Sequence, residues 1–497
     1  MLRQINMQYD TFRKLANDYN AIPVYRTMMD DIQTPVSLFL KLRSGSHYPF
    51  LLESVEGGEN LARYSFLGRN PYKVLKYKDK EVWLEVNGES KKLDGTYFDN
   101  LRNLTVNFKE PDIPDLPRLT GGAVGYSSYD TIRLIEDLPD VPEDDLKLPE
   151  AIWAFYDEIY AFDHVKHRII LIKTVFIDKD DDDEILQKKY EQALVALDTM
   201  QAEMSREVSY ETPFQLTRKG VLSNTGKEQY QDMVQTARDY IYEGDIFQVV
   251  LSQRFSTTYD GDRFMLYRAL RTVNPSPYLF YLDFDDFALI GSSPEVLVRV
   301  QDGIAEVLPI AGTRPRGETT EEDLALEKDL MNDPKELSEH VMLVDLGRND
   351  LSRICNPGTV EVKRKMVIER YSHVMHIVSD VKGDLSEERD AVDALMRCFP
   401  AGTVSGAPKV RAMEIIDELE VNKRGPYAGA IGYFDYSGNM DTCIAIRTMI
   451  ATDHNIYIQA GAGIVADSDP EKEYVETQNK ARALIEALNV ALNVNEK

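Results

Sequence analysis

The most informative stretch of this sequence, residues 455–480, reads NIYIQAGAGIVADSDPEKEYVETQNK. Residues 455–460 predict a strand, and Gly461 and Gly463 follow it in the spacing of a dinucleotide-binding loop, G-x-G-x-x-A. Such a loop must open at once into a helix whose N-terminus faces the phosphates. Here the acidic run 467–470, which ends in a proline, delays the helix and would repel a diphosphate. The stretch therefore predicts a glycine backbone that another strand or a small ligand approaches closely.

Around this stretch the chain mixes helices and strands without the regular βαβ cadence of a doubly wound fold. Short strands and turns dominate the first third of the chain. A polar stretch ending near residue 217 indicates a boundary, which we place near residue 210. Further along, patterns predict helices at 227–242, 324–345, 409–419 and 471–489, and strands at 247–255, 278–283, 287–292 and 371–382.

Composition narrows the class of protein. The 497 residues carry 57 basic and 84 acidic side chains, a formal charge of −27, which disfavours binding to nucleic acid or to anionic lipid. Neither a secretory leader nor a membrane span is expected, because no stretch approaches ~18 uninterrupted apolar residues. The three cysteines are far apart and form no CxxC pair, which favours a reducing compartment, the cytoplasm.

Two predicted helices carry carboxylates at i, i+3 spacing: Glu336 with Glu339, and Glu473 with Glu476, the latter followed one turn on by Lys480. Each pair shares a helix face, where like charges repel unless a cation lies between them. A hard divalent ion such as Mg²⁺ suits oxygen ligands of this kind. Two solvated acidic faces are the alternative, and spacing alone favours that alternative.

A histidine and a loop are further candidates. His376 lies in a predicted strand, where it is either a structural residue or a proton-transfer group with a suitable pKa. Residues 402–409, GTVSGAPK, look like a phosphate loop but lack its spacing, and Pro408 has no amide N–H to donate. We interpret this loop as a helix entry, with Ser405 as a candidate N-cap and free amides that could receive an anion.

Several segments together resemble one known family. Residues 245–483 resemble the chorismate-utilising enzymes, and the whole chain is similar to the large-subunit family of anthranilate synthases. The segments that carry the resemblance are 244–252 (GDIFQVVLS), 309–316 (PIAGTRPR), 339–350 (EHVMLVDLGRND), 399–409 (FPAGTVSGAPK) and 461–480, with 51–54 (LLES) and 121–126 (GGAVGY) in the N-terminal part.

The resemblance implies an α+β fold with large mixed, mainly antiparallel sheets packed with helices, built as two intertwined subdomains. Residues 1–210 would form a sheet-rich N-terminal subdomain with a tryptophan feedback site. Residues 211–497 would form the C-terminal catalytic domain that binds chorismate.

The resemblance also implies an active site. Mg²⁺ would bridge Glu339 and Glu476 to the ring carboxylate of chorismate, with Glu336 and Glu473 adjacent. His376 would carry out acid–base catalysis, and Thr403 would form a hydrogen bond at the ring hydroxyl. The expected substrate-binding residues are Gly312, Thr313 and Gly463 at the ring carboxylate, Tyr427 and Arg447 at the enolpyruvyl carboxylate, Lys480 near the metal, and Gly461 and Gln248.

The implied reaction adds ammonia at C2 as the C4 hydroxyl leaves, and then eliminates pyruvate to give anthranilate. Relatives that add water place a lysine base where this chain has Gln248. Aminodeoxychorismate synthases carry a nucleophilic lysine where this chain has Ala311. Three alternatives stay open: an aminodeoxychorismate synthase, an aminodeoxyisochorismate synthase that stops before elimination, and a non-catalytic sensor of chorismate or tryptophan.

Two further expectations follow from the resemblance. The tryptophan site would include Glu53, Ser54, Pro277, Tyr278, Leu279 and Tyr433, with the carboxylate and the hydroxyl of the first two receiving the amino group. Because no cysteine stands in a glutaminase-like Gly-x-Cys-x-Gly setting, ammonia would come from a glutamine amidotransferase subunit, component II, in a heterotetramer.

Overall fold

The structure, a computed structural model, describes residues 7–29, 32–54, 63–208, 212–370 and 374–493. Within these ranges the helices are α1 Tyr9–Leu15, α2 Pro35–Leu42, α3 Tyr97–Thr105, α4 Asp183–Glu203, α5 Lys227–Glu243, α6 Phe264–Val273, α7 Thr320–Met331, α8 Pro334–Ser352, α9 Ala391–Cys398, α10 Lys409–Leu419 and α11 Pro470–Asn493. None of the helices in this part of the chain combines the length and apolar character that crossing a bilayer requires.

The strands form two large sheets, and their mutual pairings are antiparallel. The first sheet has the spatial order β1 Ala21–Met29, β10 Arg168–Phe176, β9 Glu158–Asp163, β3 Tyr64–Gly68, β2 Phe50–Glu53, β14 Tyr278–Asp283, β15 Ala288–Ser293, β24 Thr448–Ala451, β25 Asn455–Ile464, β13 Gln248–Asp260 and β11 Gln215–Leu216, with β12 Leu222–Ser223 and β21 Gly406–Ala407 also paired to β13.

The second sheet has the order β18 Ile310–Pro315, β20 Val374–Asp384, β17 Ile304–Val307, β16 Val296–Gln301, β23 Met440–Ile444, β22 Ala430–Asp435, β7 Gly122–Ser127, β8 Ala151–Tyr156, β4 Lys73–Lys78, β5 Glu81–Val86 and β6 Glu89–Leu93, with β19 Glu361–Arg370 paired to β20. Each sheet thus combines strands from before and after residue 210. The predicted α+β architecture of antiparallel sheets and intertwined subdomains is confirmed, whereas the boundary near 210 stays a prediction.

Strand alternation explains the layering. In β10, Ile170 and Ile172 belong to a core that also contains Ile152 and Ala154 of β8, so this core lies between the two sheets. The opposite face of β10 joins a second core with helices α1, α2, α4, α6 and α11. The opposite face of β8 joins a third core with α3, α5, α9 and α10. The molecule therefore has helices outside and two sheets inside, each sheet buried on both faces along its middle strands.

Two helix predictions need correction. The predicted helix 324–345 is interrupted: α7 ends at Met331 and α8 begins at Pro334, because Asp333 caps the new helix and a proline is favoured at its first position. Ser405 does not cap α10, since its hydroxyl donates to Ala401 O at 2.8 Å and the cap position belongs to Pro408. The break before Pro334 matters for function because it sets where the Glu336 and Glu339 side chains project.

Candidate active site

A cavity of about 690 Å³ collects residues from both sheets and from helices α8 and α11. Its walls include the residues that the sequence predicted for catalysis, substrate binding and metal binding: Gln248, Gly312, Thr313, Glu336, Glu339, His376, Thr403, Tyr427, Arg447, Gly461, Gly463, Glu473, Glu476 and Lys480. These residues are separated by up to 232 positions in the chain. The fold therefore brings together a set that sequence spacing could only connect in pairs.

Two pairings between neighbouring strands build the cavity walls. In the pair β13–β25, Val250 lies opposite Gly463, and a Cβ placed on Gly463 would lie only 2.7 Å from Nε2 of Gln248. In the pair β18–β20, Thr313 lies opposite His376 next to Gly312, whose φ of +69° suits glycine. The glycines thus keep the main chain close to polar side chains, as the sequence predicted for Gly463.

His376 is fixed in one orientation. Its Nδ1 lies 3.0 Å from the carbonyl oxygen of Gly312 and 3.0 Å from Oγ1 of Thr313. A carbonyl can only accept, so the proton of the neutral ring resides on Nδ1 and the basic lone pair resides on Nε2. Burial lowers the pKa of His376, and Arg447 lowers it further, against the opposing effect of the Gly312 carbonyl. The residue is therefore a neutral base near pH 7.

Glu295 is a second titratable group in the cavity, and the sequence analysis missed it. It lies between β15 and β16 on the cavity wall, and burial raises the pKa of its carboxyl to about 7. Thr403 and Lys480 act in the opposite direction by favouring the carboxylate. Glu295 therefore stays partly protonated near neutral pH, which suits a proton donor.

The Thr403 hydroxyl faces the same part of the cavity. Although it lies near enough to Glu295 to favour the ionised carboxyl, Oγ1 of Thr403 is buried without a properly aligned hydrogen-bond partner among the described residues. A buried hydroxyl without a partner costs free energy, on the order of 1–3 kcal/mol. A ligand hydroxyl would remove that cost.

Four carboxylates from two helices line one side of the cavity: Glu336 and Glu339 on α8, and Glu473 and Glu476 on α11. Burial raises the pKa of Glu339, and the charges of Glu336 and Glu476 raise it further. The pKa of Glu473 is raised by burial and by Glu476. Glu339 and Glu476 therefore repel each other electrostatically across the gap between the helices.

The donor set fits a hard divalent cation in chemistry, since oxygen ligands with mutual repulsion gain from a positive charge between them. The arrangement is open, however. Within the described ranges, no group of three carboxylate, imidazole or thiol side chains is close enough to hold an ion. The carboxylates would have to turn inward together to bind one.

Lysines already neutralise part of this charge. Nζ of Lys480 lies 2.8 Å from Oε1 of Glu476 and donates to the carbonyl oxygen of Gly461 at 3.0 Å. Lys335, which the sequence analysis also missed, lines the same cavity, and its charge lowers the pKa of both Glu339 and Glu473. Its spacing of i, i+4 to Glu339 was a readable signal in the sequence. Glu295 offered no such signal, because it lies between two strands, where the i, i+4 spacing to Arg299 does not bring the two side chains together.

Arg447 and Tyr427 form the wall at which the resemblance places an enolpyruvyl carboxylate. Nη1 of Arg447 donates to the carbonyl oxygen of Lys480 at 3.0 Å, and burial lowers the pKa of the guanidinium. Burial also disfavours the charged form of Tyr427 and raises its pKa to about 12, so its hydroxyl stays protonated. A cation withdrawn from water beside a hydroxyl donor suits a carboxylate ligand.

The predicted tryptophan site lies beside the cavity. Pro277 lines the cavity itself, whereas Leu279 of β14 pairs with Glu53 of β2. The Tyr278 hydroxyl donates to Asp441 at 2.7 Å, and the Tyr433 ring lies 6.5 Å from that of Phe66 on β3. The segment 277–279 thus connects the predicted feedback site to the predicted active site.

The two residues expected to receive the amino group of tryptophan differ in their hydrogen bonding. The Glu53 carboxylate is 5% exposed and is already held by Tyr267 Oη at 2.5 Å and by Arg271 Nε at 3.0 Å. Ser54 Oγ, in contrast, is buried and has no hydrogen-bond partner among the described residues. The hydroxyl is therefore without a partner, whereas the carboxylate would have to accept a ligand donor in addition to those it already binds, and its role stays a prediction.

Comparison with known proteins gives a consistent result. Residues 48–486 match the family of chorismate binding enzymes. The chain is 50% identical over 492 residues to "Anthranilate synthase component 1" of Acetivibrio thermocellus, covering 97% of this chain and 98% of the relative. It is 48% identical to the protein of the same name from Synechocystis sp., covering 97% and 99% of the two chains.

Solved structures agree on the fold. The crystal structure of anthranilate synthase component I from Streptococcus pneumoniae superposes with a TM-score of 0.73 at 40% identity, over 92% of this chain and 98% of that one. MenF, the menaquinone-specific isochorismate synthase of Escherichia coli, superposes with a TM-score of 0.69 at 20% identity, over 97% and 100% of the two chains. The second likeness concerns the fold alone.

Proposed function

The chain belongs to the chorismate-binding enzymes and, within them, to the anthranilate synthase component 1 family, and we propose that it converts chorismate and ammonia to anthranilate and pyruvate. The observation that carries the proposal is the single cavity that gathers His376, Glu295, Arg447 and the four glutamates. The product would enter tryptophan biosynthesis, and tryptophan would inhibit the enzyme.

Binding of chorismate uses its two carboxylates. Arg447 and Tyr427 hold the enolpyruvyl carboxylate, while Gly312, Thr313 and Gly463 line the wall at the ring carboxylate. Glu339 and Glu476 would hold Mg²⁺, with Glu336 and Glu473 beside them. When bound, this cation would withdraw electron density from the ring through its carboxylate. Lys480 adds positive charge on the same side of the cavity.

Proton transfer falls to two residues whose environments push their pKa values apart. Glu295, kept partly protonated by burial, donates a proton to the leaving C4 hydroxyl, which the Thr403 hydroxyl orients. His376, kept neutral with its lone pair on Nε2, removes the C2 proton as pyruvate leaves. This division refines the sequence-based expectation, which gave His376 both tasks.

Two wall residues support ammonia as the nucleophile. Gln248 and Ala311 both line the cavity. A neutral amide at position 248 cannot deprotonate water, and alanine at position 311 offers no nucleophile. Ammonia needs neither, since it attacks through its own lone pair. The presence of a neutral imidazole on the cavity wall favours completion of the reaction over a product that retains the enolpyruvyl group. Measuring pyruvate beside anthranilate fluorescence tests that choice directly.

Ammonia would come from a second subunit, a glutamine amidotransferase in a heterotetramer. The name component 1 carried by the relatives implies a second component. All three cysteines of the chain are buried, and burial raises the pKa of the Cys355 thiol to about 11 and raises those of Cys398 and Cys443 as well. Protonated, buried thiols cannot serve as glutaminase nucleophiles, and they are compatible with the proposed cytoplasmic location.

The isolated chain is expected to form anthranilate from chorismate with ammonium salts but not with glutamine. Steady-state fluorescence of anthranilate measures both reactions with the same preparation. Addition of an amidotransferase subunit should restore the glutamine reaction, which is the positive control. Glutamine-dependent turnover by the purified chain alone would contradict the assignment of ammonia supply to a partner.

Replacement of Ser54 by phenylalanine is expected to relieve inhibition by tryptophan, raising the half-inhibitory concentration by about 100-fold, while turnover without tryptophan stays close to wild type. The larger side chain would occupy the place of the ligand, one residue beyond Glu53, which lies opposite Leu279 in the sheet. Ser54→Ala removes only the hydroxyl and should have a smaller effect. Inhibition curves for the three proteins decide the matter, and unchanged inhibition of Ser54→Phe would place the feedback site elsewhere.

A further inference from the structure

The acidic side of the cavity contains two ammonium groups of different character. Lys480 is half-buried and is fixed by Glu476 and by the carbonyl oxygen of Gly461. Lys335 is exposed at the cavity wall, and its ammonium has neither an ion pair nor a hydrogen bond with any described residue. One lysine is thus part of the wall, whereas the other is a free charge beside the carboxylates.

The position of Lys335 follows from the helix break. Because α8 begins at Pro334, Lys335 lies in its first turn, directly before Glu336 and one turn before Glu339. Its charge is felt by Glu339 on its own helix and by Glu473 on α11. A partnerless cation on a flexible stem at this place can approach either helix.

The Lys335 ammonium changes the net charge on the acidic side of the cavity. With all groups ionised, the four glutamates and the two lysines leave a net charge of −2 on this side of the cavity. Without Lys335 the net charge would be −3. A divalent cation that enters the cluster of glutamates is therefore repelled by the Lys335 ammonium, which no described residue binds. The same ammonium attracts any carboxylate that enters with the cation.

We propose that Lys335 is a positioning residue that keeps the affinity of the free protein for a divalent cation low, so that the cation binds tightly only together with the anionic substrate. The ring carboxylate would neutralise Lys335 and remove the repulsion. This inference rests on the proposed function, since it needs both the cation and a substrate carboxylate at this wall. It concerns the order of binding and not the chemistry of the reacting atoms.

The test is isothermal titration of Mg²⁺ into the full chain, with and without chorismate, in buffer free of ammonium so that amination cannot proceed. Lys335→Met is expected to bind Mg²⁺ about tenfold more tightly than wild type without chorismate, because one repelling charge is gone. The factor by which chorismate strengthens Mg²⁺ binding should fall correspondingly. Lys335→Gln serves as a second neutral variant, and thermal unfolding shows whether both are folded.

Two controls distinguish the effect of the charge at position 335 on Mg²⁺ binding from the effect of a change in the net charge of the protein. Lys335→Arg keeps the charge and should bind Mg²⁺ as wild type does. Lys472→Met removes the same charge from an exposed position of α11 that does not line the cavity, and should also behave as wild type. Unchanged or weaker Mg²⁺ binding by both neutral Lys335 variants overturns the inference alone. Wild-type protein that binds no Mg²⁺ under either condition overturns the proposed cation site as well.

Discussion

Replacing His376 by alanine is expected to lower the release of pyruvate from chorismate by about 10²–10⁴-fold, the usual contribution of a positioned general base. The structure gives the reason: Nδ1 is bound to the Gly312 carbonyl, so Nε2 carries the lone pair that removes the C2 proton. Binding of chorismate should survive, because Arg447 and Tyr427 are untouched. Anthranilate fluorescence and coupled pyruvate detection measure the loss, and equilibrium binding measures the retained affinity.

A second substitution separates the base from its support. His376→Asn keeps a side-chain N–H that can donate to Gly312 but has no titratable nitrogen. It should be nearly as inactive as His376→Ala, whereas His454→Ala, which changes an exposed histidine whose ring is 3.4 Å from Asp260, should be fully active. Substantial pyruvate release by His376→Asn would show that the residue supports the Gly312 turn and does not move a proton.

The pH dependence of turnover follows from the titration of His376 and Glu295. Activity requires neutral His376, so it should fall as the pH drops through the lowered pKa of that residue, below its usual 6.5. Activity also requires protonated Glu295, so it should fall as the pH rises through about 7. The profile of turnover at saturating chorismate is therefore expected to be bell-shaped with a narrow maximum.

The exclusion of a nucleotide-binding fold rested on particular residues, whereas the α+β architecture was implied by the resemblance. The acidic turn ending at Pro470 separates β25 from α11 and so excludes a nucleotide-binding crossover. What the periodicity could not supply was the pairing of strands from residues 21–176 with strands beyond residue 215. Pairing over such separations depends on burial of both sheet faces, as in β8 and β10, and not on any local pattern.

The site was predictable only where a motif or a resemblance covered it. Glu295 was missed because its importance comes from burial between two strands, which raises its pKa. The residues next to it in the sequence do not indicate that burial. For Glu53, whose place in the tryptophan site stays a prediction, the neighbours in the chain did not reveal its existing partners. Its carboxylate looked available beside Ser54, but Arg271 and Tyr267, more than 200 residues away in the chain, already hold it.

Replacing Glu295 by glutamine is expected to reduce turnover with ammonium by about 10²–10⁴-fold, since the amide keeps the size and hydrogen-bonding capacity of the side chain but has no acidic proton to give. The C4 hydroxyl would then leave without a donor, whereas elimination by His376 would remain possible. The loss should therefore fall on the first step, with neither the amination product nor pyruvate accumulating. Single-turnover analysis of the products distinguishes this result from that of His376→Ala.

The pH profile of the residual activity of Glu295→Gln is a sharper test of Glu295 as the proton donor than the loss of turnover. If Glu295 is the group that must hold a proton, its removal should also remove the decline of turnover above pH 7 and leave the decline at lower pH, which belongs to His376. Glu295→Asp keeps an acid but withdraws it by one methylene from the wall shared with Thr403, so it should retain both limbs at lower activity. A bell-shaped profile that persists in Glu295→Gln would assign the upper limb, and the proton donor, to a different residue.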